Sequence, residues 1–337
     1  MRALVDAGLL ADDPGMEAVA ARYAVAVTPH IADQIQEGSA GIAQQFLPTT
    51  AELRLTPEER LDPIGDAVHE AVPGVVHRYP DRVLLKPIHV CPVYCRFCFR
   101  REQVGPAGLI LKPAELDRAL DWIADQPAIW EVILTGGDPL VMAPAALGKL
   151  LARLDAIPHV ETVRIHTRVP VVNPRKVDDA MLSALSNTQP VWIAVHANHP
   201  DELKPPAVHA ALARLSQAGH PLVGQTVLLK GINDRVETLT ALFRSMVKLR
   251  IKPYYLHQGD LAPGTSHFRV PLAQGQALMT GLRGHISGLC MPTYVLDLPG
   301  GAGKVPIEAA YIESCRDDGR YVVRDPWGTA HVYPPEA

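Results

Sequence analysis

From Val83 to Leu256 the chain repeats one pattern: a short apolar run, then an amphipathic helix. The runs are Val83–Ile88, Trp130–Leu134, Val160–Ile165, Val191–Val195, Pro221–Leu229 and Lys252–Leu256. Between them lie helical stripes. Leu116, Leu120 and Ile123 follow Pro113; Leu147, Leu150, Leu151 and Leu154 form the next; a helix is expected near Asp178–Leu185. Val208, Leu212 and Leu215 make the fourth stripe, and Val236, Leu239, Phe243 and Met246 the fifth. Apolar strands alternating with such helices imply a parallel sheet covered by helices. Six units fall short of a closed eight-unit barrel, so the expected fold is α/β, a partial (βα)6 barrel, with a doubly wound sheet as the alternative.

Loops after parallel strands carry the chemistry in such folds. The loop after the first strand reads HVCPVYCRFCFRR and places Cys91, Cys95 and Cys98 in C-x3-C-x2-C spacing. Disulfide pairing leaves one thiol over. Zinc prefers four closed ligands, and the remaining Cys290 and Cys315 are isolated; a zinc loop completed by a histidine such as His89 is the plainer alternative. A four-iron cluster on three cysteines keeps one iron open to a substrate or cosubstrate, and the spacing and the preceding strand suit it better.

Other strand ends carry polar groups too. Gly136, His166, His196, Gln225 and Asp260 each follow or end an expected strand. Thr135-Gly136-Gly137-Asp138 suits a polar ligand at exposed amides and carbonyls, though such a turn is common by itself. Lys304 ends Pro299-Gly300-Gly301-Ala302-Gly303, but Leu298 and Val305 break the nucleotide P-loop pattern. A lysine there is either a solvated charge or a Schiff-base carrier for pyridoxal phosphate, with Arg78 and Arg82 as cations for the phosphate or simply surface charges. Arg100 offers a guanidinium fork for a carboxylate, and Asp260 with Asp297 two anions for an ammonium; a turn or cap is the plainer role for each aspartate.

The chain has 337 residues, net charge −4 and no basic block, so nucleic acid is not an expected partner. The start has no sustained apolar stretch and carries Asp6, Asp12 and Asp13, so no signal peptide is expected, and no later run spans a membrane. Clustered cysteines fit a reducing cytoplasm. Residues 1–76 read as a helical region for packing or assembly, with Thr28-Pro29 and Thr56-Pro57 as helix starts. Residues 77–270 form the barrel, and 271–337 a region with a helix near Ala273–Arg283, a short strand Thr293–Leu296, the Lys304 loop and small hairpins around Asp317-Asp318-Gly319 and Pro326-Trp327-Gly328.

Across residues 70–305 the chain closely resembles the lysine 2,3-aminomutase family. The resemblance rests on HRYPDRVLL, CPVYCRFCFRR, LTGGDPL, IPHVETVRIHTRVPVV, HANHP, GQTVLLKGIND, KPYYLHQGD, HFRVPL, GLRGHISG and DLPGGAGK, in that order. It implies a partial radical S-adenosylmethionine barrel, a [4Fe-4S] cluster on Cys91, Cys95 and Cys98, and pyridoxal 5′-phosphate on Lys304 with Arg78 and Arg82 at its phosphate. Gly136, Gly137 and Asp138 then resemble part of the S-adenosylmethionine site, with His196 and Gln225 beside it. Arg100 resembles the holder of the substrate carboxylate, and Asp260 and Asp297 the pair gripping the side-chain ammonium of L-lysine. The implied reaction moves an amino group from Cα to Cβ and gives β-lysine. The hydrogen removed from Cβ is not acidic, so a radical rather than a base must take it. A one-electron donor such as flavodoxin or ferredoxin is implied, and a homo-oligomer is possible. Relatives serving elongation factor P modification and mutases of other cationic amino acids are the alternatives; the PGGAGK loop resembles the free-standing type. No cysteine cluster for a structural zinc follows in the tail.

Overall fold

The computed structural model describes residues 2–11, 13–105, 110–308, 310–317 and 319–334; Asp12 and Asp318 lie outside the described residues. Four short helices come first: α1 (Arg2–Asp6), α2 (Pro14–Arg22), α3 (Pro29–Gln36) and α4 (Ala40–Phe46). Thr28 caps α3 by accepting from the Ile31 amide at 3.3 Å, as its place before proline predicts. Thr56-Pro57 does not start a helix. Its amide bonds Glu59, but Glu58 and Glu59 are both drawn to Arg269, and the Arg60 amide donates to Leu261 at 2.8 Å. Tertiary ion pairs there outweigh the helix-start signal.

The strands β1 (Glu70–Val72), β2 (Val75–Tyr79) and β3 (Arg82–Ile88) form an antiparallel meander. Then come α5 (Pro113–Ala124), β4 (Glu131–Gly136), α6 (Pro144–Asp155), β5 (Thr162–Thr167), α7 (Val169–Val172), α8 (Asp179–Leu185) and β6 (Val191–His196). The series continues with α9 (Pro206–Gln217), β7 (Leu222–Val227), α10 (Val236–Lys248), β8 (Ile251–His257), α11 (Leu272–Leu282), β9 (Thr293–Leu298) and β10 (Gly303–Pro306). All ten strands form one sheet in chain order. Chain order without reversal is barrel-like winding and not a doubly wound sheet. Among the described residues no ladder joins β1 to β10, so the sheet is open.

The expected six parallel strands are β3 to β8. The sheet adds a seventh: Thr293 and Val295 of β9 pair in parallel with Tyr255 and His257. Sequence alone leaves that short run outside the repeat because a change of pattern precedes it. Its membership matters, since β9 and β10 carry Asp297 and Lys304 opposite one another. The first expected boundary, residue 76, falls inside β2.

The core lies between sheet and helices. Leu147, Leu150, Leu151 and Leu154 of α6 are buried against Val132, Leu134, Val163 and Ile165 of the strands. The tail forms β11 (Ile312–Cys315), β12 (Tyr321–Arg324) and β13 (Ala330–Tyr333), a separate antiparallel sheet matching the expected hairpins. No helix among the described residues is long and apolar enough to cross a membrane.

Candidate active site

The loop leaving β3 carries Cys91, Cys95 and Cys98, all free and half-buried. The N-terminal segment fastens this loop. The Arg96 amide donates to Gln45 at 2.8 Å and the Tyr94 amide to Ala26 at 3.2 Å. The buried Glu52 carboxylate accepts from Arg96 Nη2 at 2.6 Å and also from Arg101. Residues 1–76 are therefore not packing alone: Glu52, Gln45 and Asp66 reach the site. Their partners lie 34 to 123 residues away, and no local pattern announces them.

Burial, with the Cys95 charge, pushes the Cys98 thiol up to about 11. Burial also drives Cys91 upward, reinforced by Asp138 and the other two thiols. Thiols crowded together like this are placed for a shared cation, which deprotonates ligating thiols outright. Arg168 Nη1 donates to Cys95 Sγ at 2.8 Å, while its Nη2 donates to Glu202 at 2.6 Å and Gln45 at 2.5 Å. A buried cation bonded to a cysteine sulfur would suit an anionic iron–sulfur cluster there. Among the described residues no three His, Cys, Asp or Glu side chains converge on a single ion. An iron–sulfur cluster held by Cys91, Cys95 and Cys98 would not require their sulfurs to meet at a single ion.

The turn after β4 is tied to the same loop. The Gly137 amide donates to Ile88 at 2.6 Å and the Asp138 amide to Val90 at 3.0 Å. A Cβ on Gly137 would lie 2.2 Å from the Val90 oxygen, so the approach that demands glycine here is made by the chain's own backbone. The Asp138 carboxylate accepts from Thr167 Oγ1 at 2.8 Å and from the amides of Leu140, Arg168 and Val169. It orders the turn after β5 and thereby aims Arg168. His196 pairs in register with Gln225 across β6 and β7, and its Nε2 lies 3.0 Å from Asn198 Oδ1. Burial holds the His196 imidazole neutral, near 3.

Around Lys304 the charges form a chain. Arg100 places Nε and Nη2 on Asp66 at 3.0 and 2.8 Å, and Nη1 lies 3.4 Å from Thr135 Oγ1. Asp66 also meets Arg78 Nη2 at 3.5 Å, and Arg78 Nη1 is 3.8 Å from Asp297. Asp297 pairs with Lys304 across β9 and β10, and His257 Nδ1 is 3.3 Å from Lys304 Nζ. Despite burial, His257 and the Lys304 charge hold Asp297 well below the usual carboxylate range. Asp260 behaves oppositely: burial and the Asp297 charge raise it to about 7. The chain of ion pairs from Arg100 through Asp66, Arg78 and Asp297 thus runs from the cysteine loop to Lys304. Arg82 at the start of β3 lies 2.6 Å from Asp81 and stacks on Tyr79, whose hydroxyl accepts from the Lys304 amide at 2.8 Å.

A carbonyl cofactor fits the Lys304 end. Gly300, Gly301 and Gly303 take positive φ (77°, 84° and 108°), which lets the loop deliver Lys304 beside β9. Arg78 Nε and His166 Nε2 are buried there without a partner, as binding groups awaiting a ligand would be.

Asp260 also yields a pH effect. Its folded value, about 7, lies above 3.8, so the native state keeps the proton longer than the unfolded chain. Its contribution therefore falls as pH climbs between those values and is flat beyond them. Asp260→Asn removes that loss: the variant is expected to match wild type near pH 4 and to exceed it by roughly 2–4 kcal/mol at pH 8. Urea unfolding at both pH values without substrate measures the difference, and a gap independent of pH contradicts a half-buried, proton-holding Asp260.

The open sheet with three cysteines after its first parallel strand defines a radical S-adenosylmethionine enzyme, and the model of the radical SAM superfamily matches residues 85–242. SuiB of Streptococcus suis, solved with S-adenosylmethionine, shares the fold at TM-score 0.51 and 16% identity, over 65% of this chain and 51% of that one. A second model, described as lysine-2,3-aminomutase, matches residues 279–337. The L-lysine 2,3-aminomutase of Fusobacterium nucleatum is 40% identical over 92% of this chain and 73% of its own length. That of Clostridium subterminale is 39% identical over 92% and 74%. The glutamate 2,3-aminomutase of Clostridioides difficile is 36% identical over 83% and 66%. The chain belongs to the lysine 2,3-aminomutase family.

Proposed function

We propose that the protein converts L-lysine to β-lysine (3,6-diaminohexanoate). The [4Fe-4S] cluster would be held by Cys91, Cys95 and Cys98, and pyridoxal phosphate by Lys304 with Arg78 and Arg82. S-adenosylmethionine would lie against Gly136, Gly137, Asp138, His196 and Gln225. One observation carries the choice of substrate: Asp297 meets Lys304 across β9 and β10, Asp260 follows β8, the strand next to β9, and Arg100 follows Cys98 on the cysteine loop. Glutamate mutases are close relatives, and overall identity separates the two activities poorly. The acid pair separates them by charge: the far end of glutamate is an anion that Asp260 and Asp297 repel, whereas that of lysine is a cation they attract.

When bound, the cluster with S-adenosylmethionine supplies a carbon radical, and pyridoxal phosphate supplies the carbonyl that holds the migrating nitrogen. The chain's own residues place the reactants. Asp66 holds Arg100 through Nε and Nη2, which leaves Nη1 to meet the α-carboxylate. Once Lys304 is uncharged, Asp297 is freed from that ion pair, though Arg78 stays 3.8 Å away, and it takes the substrate ammonium in the lysine's place. Asp260, ionising near neutrality, supplies the second charge when that ammonium arrives. Anchors at both ends fix the length of the substrate as well as its charge.

A one-electron donor of flavodoxin or ferredoxin type belongs to this reading. So does self-association, supported by Ile312, Tyr321, Trp327 and Tyr333 exposed on the tail.

Anaerobic turnover of lysine, ornithine, arginine and glutamate side by side tests the proposal. Lysine is expected to exceed ornithine and arginine by tenfold or more, with glutamate inert. Preference for glutamate, or equal use of all four, overturns it.

A further inference from the structure

His257 ends β8 and has no part in the roles above. Its Nδ1 lies 3.3 Å from Lys304 Nζ and 3.6 Å from Asp297 Oδ2, and its ring meets Tyr255 edge-on at 5.6 Å. Lys304 donates to Asp297 as an ammonium. An ammonium has no lone pair, so it must lose a proton before its nitrogen can attack a carbonyl. Two groups are in reach to take that proton. Asp297 is a poor acceptor because its neighbours keep it ionised. A neutral imidazole in the tautomer protonated at Nε2 offers its Nδ1 lone pair to the ammonium 3.3 Å away and is a better one.

We propose that His257 is the base that takes the proton from Lys304 and so arms the amine for its carbonyl cofactor; this rests on the reading of Lys304 as the cofactor-bearing residue. The transfer balances simply. One Nζ–H bond breaks and one Nδ1–H bond forms. Lys304 becomes a neutral amine, His257 an imidazolium still carrying its Nε2 proton, and the net charge is unchanged. The imidazolium keeps Asp297 as counter-ion. Burial and the Lys304 charge both hold His257 below its ordinary value, and the transfer removes the second of these. The remaining groups that sense His257 are Tyr255 on its own strand, His166 on β5 and His196 on β6. Burial keeps both of those histidines neutral, so neither adds a competing charge.

The test uses cluster-loaded protein freed of pyridoxal phosphate. Pyridoxal phosphate is added, borohydride fixes what has bound, and capture is followed in time from pH 6.5 to 9.5. Iron per chain reports folding. His257→Gln keeps a polar side chain but cannot take the proton. It is expected to capture the same final amount as wild type, at least tenfold more slowly at pH 7. Its rate is expected to recover at pH 9.5 and on adding free imidazole. Wild-type speed at pH 7 overturns the proposal. So does slow capture at every pH without rescue, which assigns His257 to shaping the site. Lys304→Ala separates the two readings: capture in that variant sinks the role of Lys304 itself, whatever His257 does.

Discussion

Lys304→Ala is expected to bind no pyridoxal phosphate that borohydride can fix to the chain, and to make no β-lysine, while keeping wild-type iron and sulfide. The two halves of that result come from different parts of the structure. The cysteine loop is held by Glu52, Gln45 and Arg168, none of which touches Lys304. Lys304 sits on β10, joined to the main sheet through β9, so its truncation leaves the loop's supports in place. Absorption of the bound cofactor, peptide mapping after reduction and metal analysis read all three quantities. Cofactor fixed to a different lysine, or iron lost together with the cofactor, contradicts the arrangement.

Asp297→Asn is expected to lower kcat/KM for lysine by between about thirtyfold and several thousandfold. The range follows from the roughly 2–5 kcal/mol that removing one partner of a buried, hydrogen-bonded charge pair costs. Asp297 meets Lys304, His257 and Arg78 in the absence of substrate and is proposed to meet the substrate ammonium afterwards. The amide keeps the shape and loses the charge, so the defect belongs to electrostatics and not packing. Iron content is expected to stay unchanged, because no cysteine depends on Asp297. Lysine turnover equal to wild type removes the ammonium clamp. Steady-state kinetics with saturating cofactors decide it.

Much of this site is legible in the residues themselves. The apolar runs are legible because strands buried on both faces need continuous β-branched and aliphatic residues, and β3 to β8 appear within two residues of expectation. The cysteine trio is legible because thiols at that spacing have few other uses. The partners of the charges are not. Asp66 lies in a stretch without any motif, yet it receives both Arg100 and Arg78. Glu52 carries no signal in the sequence, yet it joins Arg96 to Arg101. His257 sits inside a motif quoted for its neighbours and shows its importance only once β9 lies beside β8. Long-range pairs leave no local periodicity, so a sequence read in windows passes over them.

The role of the Gly136-Gly137 turn changes in the same way. Glycine there permits close packing on Val90, and Asp138 spends its carboxylate on the turn after β5. The turn thus connects the cysteine loop to Arg168, and any cosubstrate it receives meets a surface these bonds have already set.

The central claim is that the cysteine trio and Lys304 serve one substrate in one mouth. Anaerobic incubation with lysine deuterated at C3, S-adenosylmethionine, pyridoxal phosphate and a strong reductant tests it most directly. The expected result is 3,6-diaminohexanoate together with deuterium in the 5′-deoxyadenosyl group. Cleavage of S-adenosylmethionine with no deuterium transfer and no β-amino acid would contradict it.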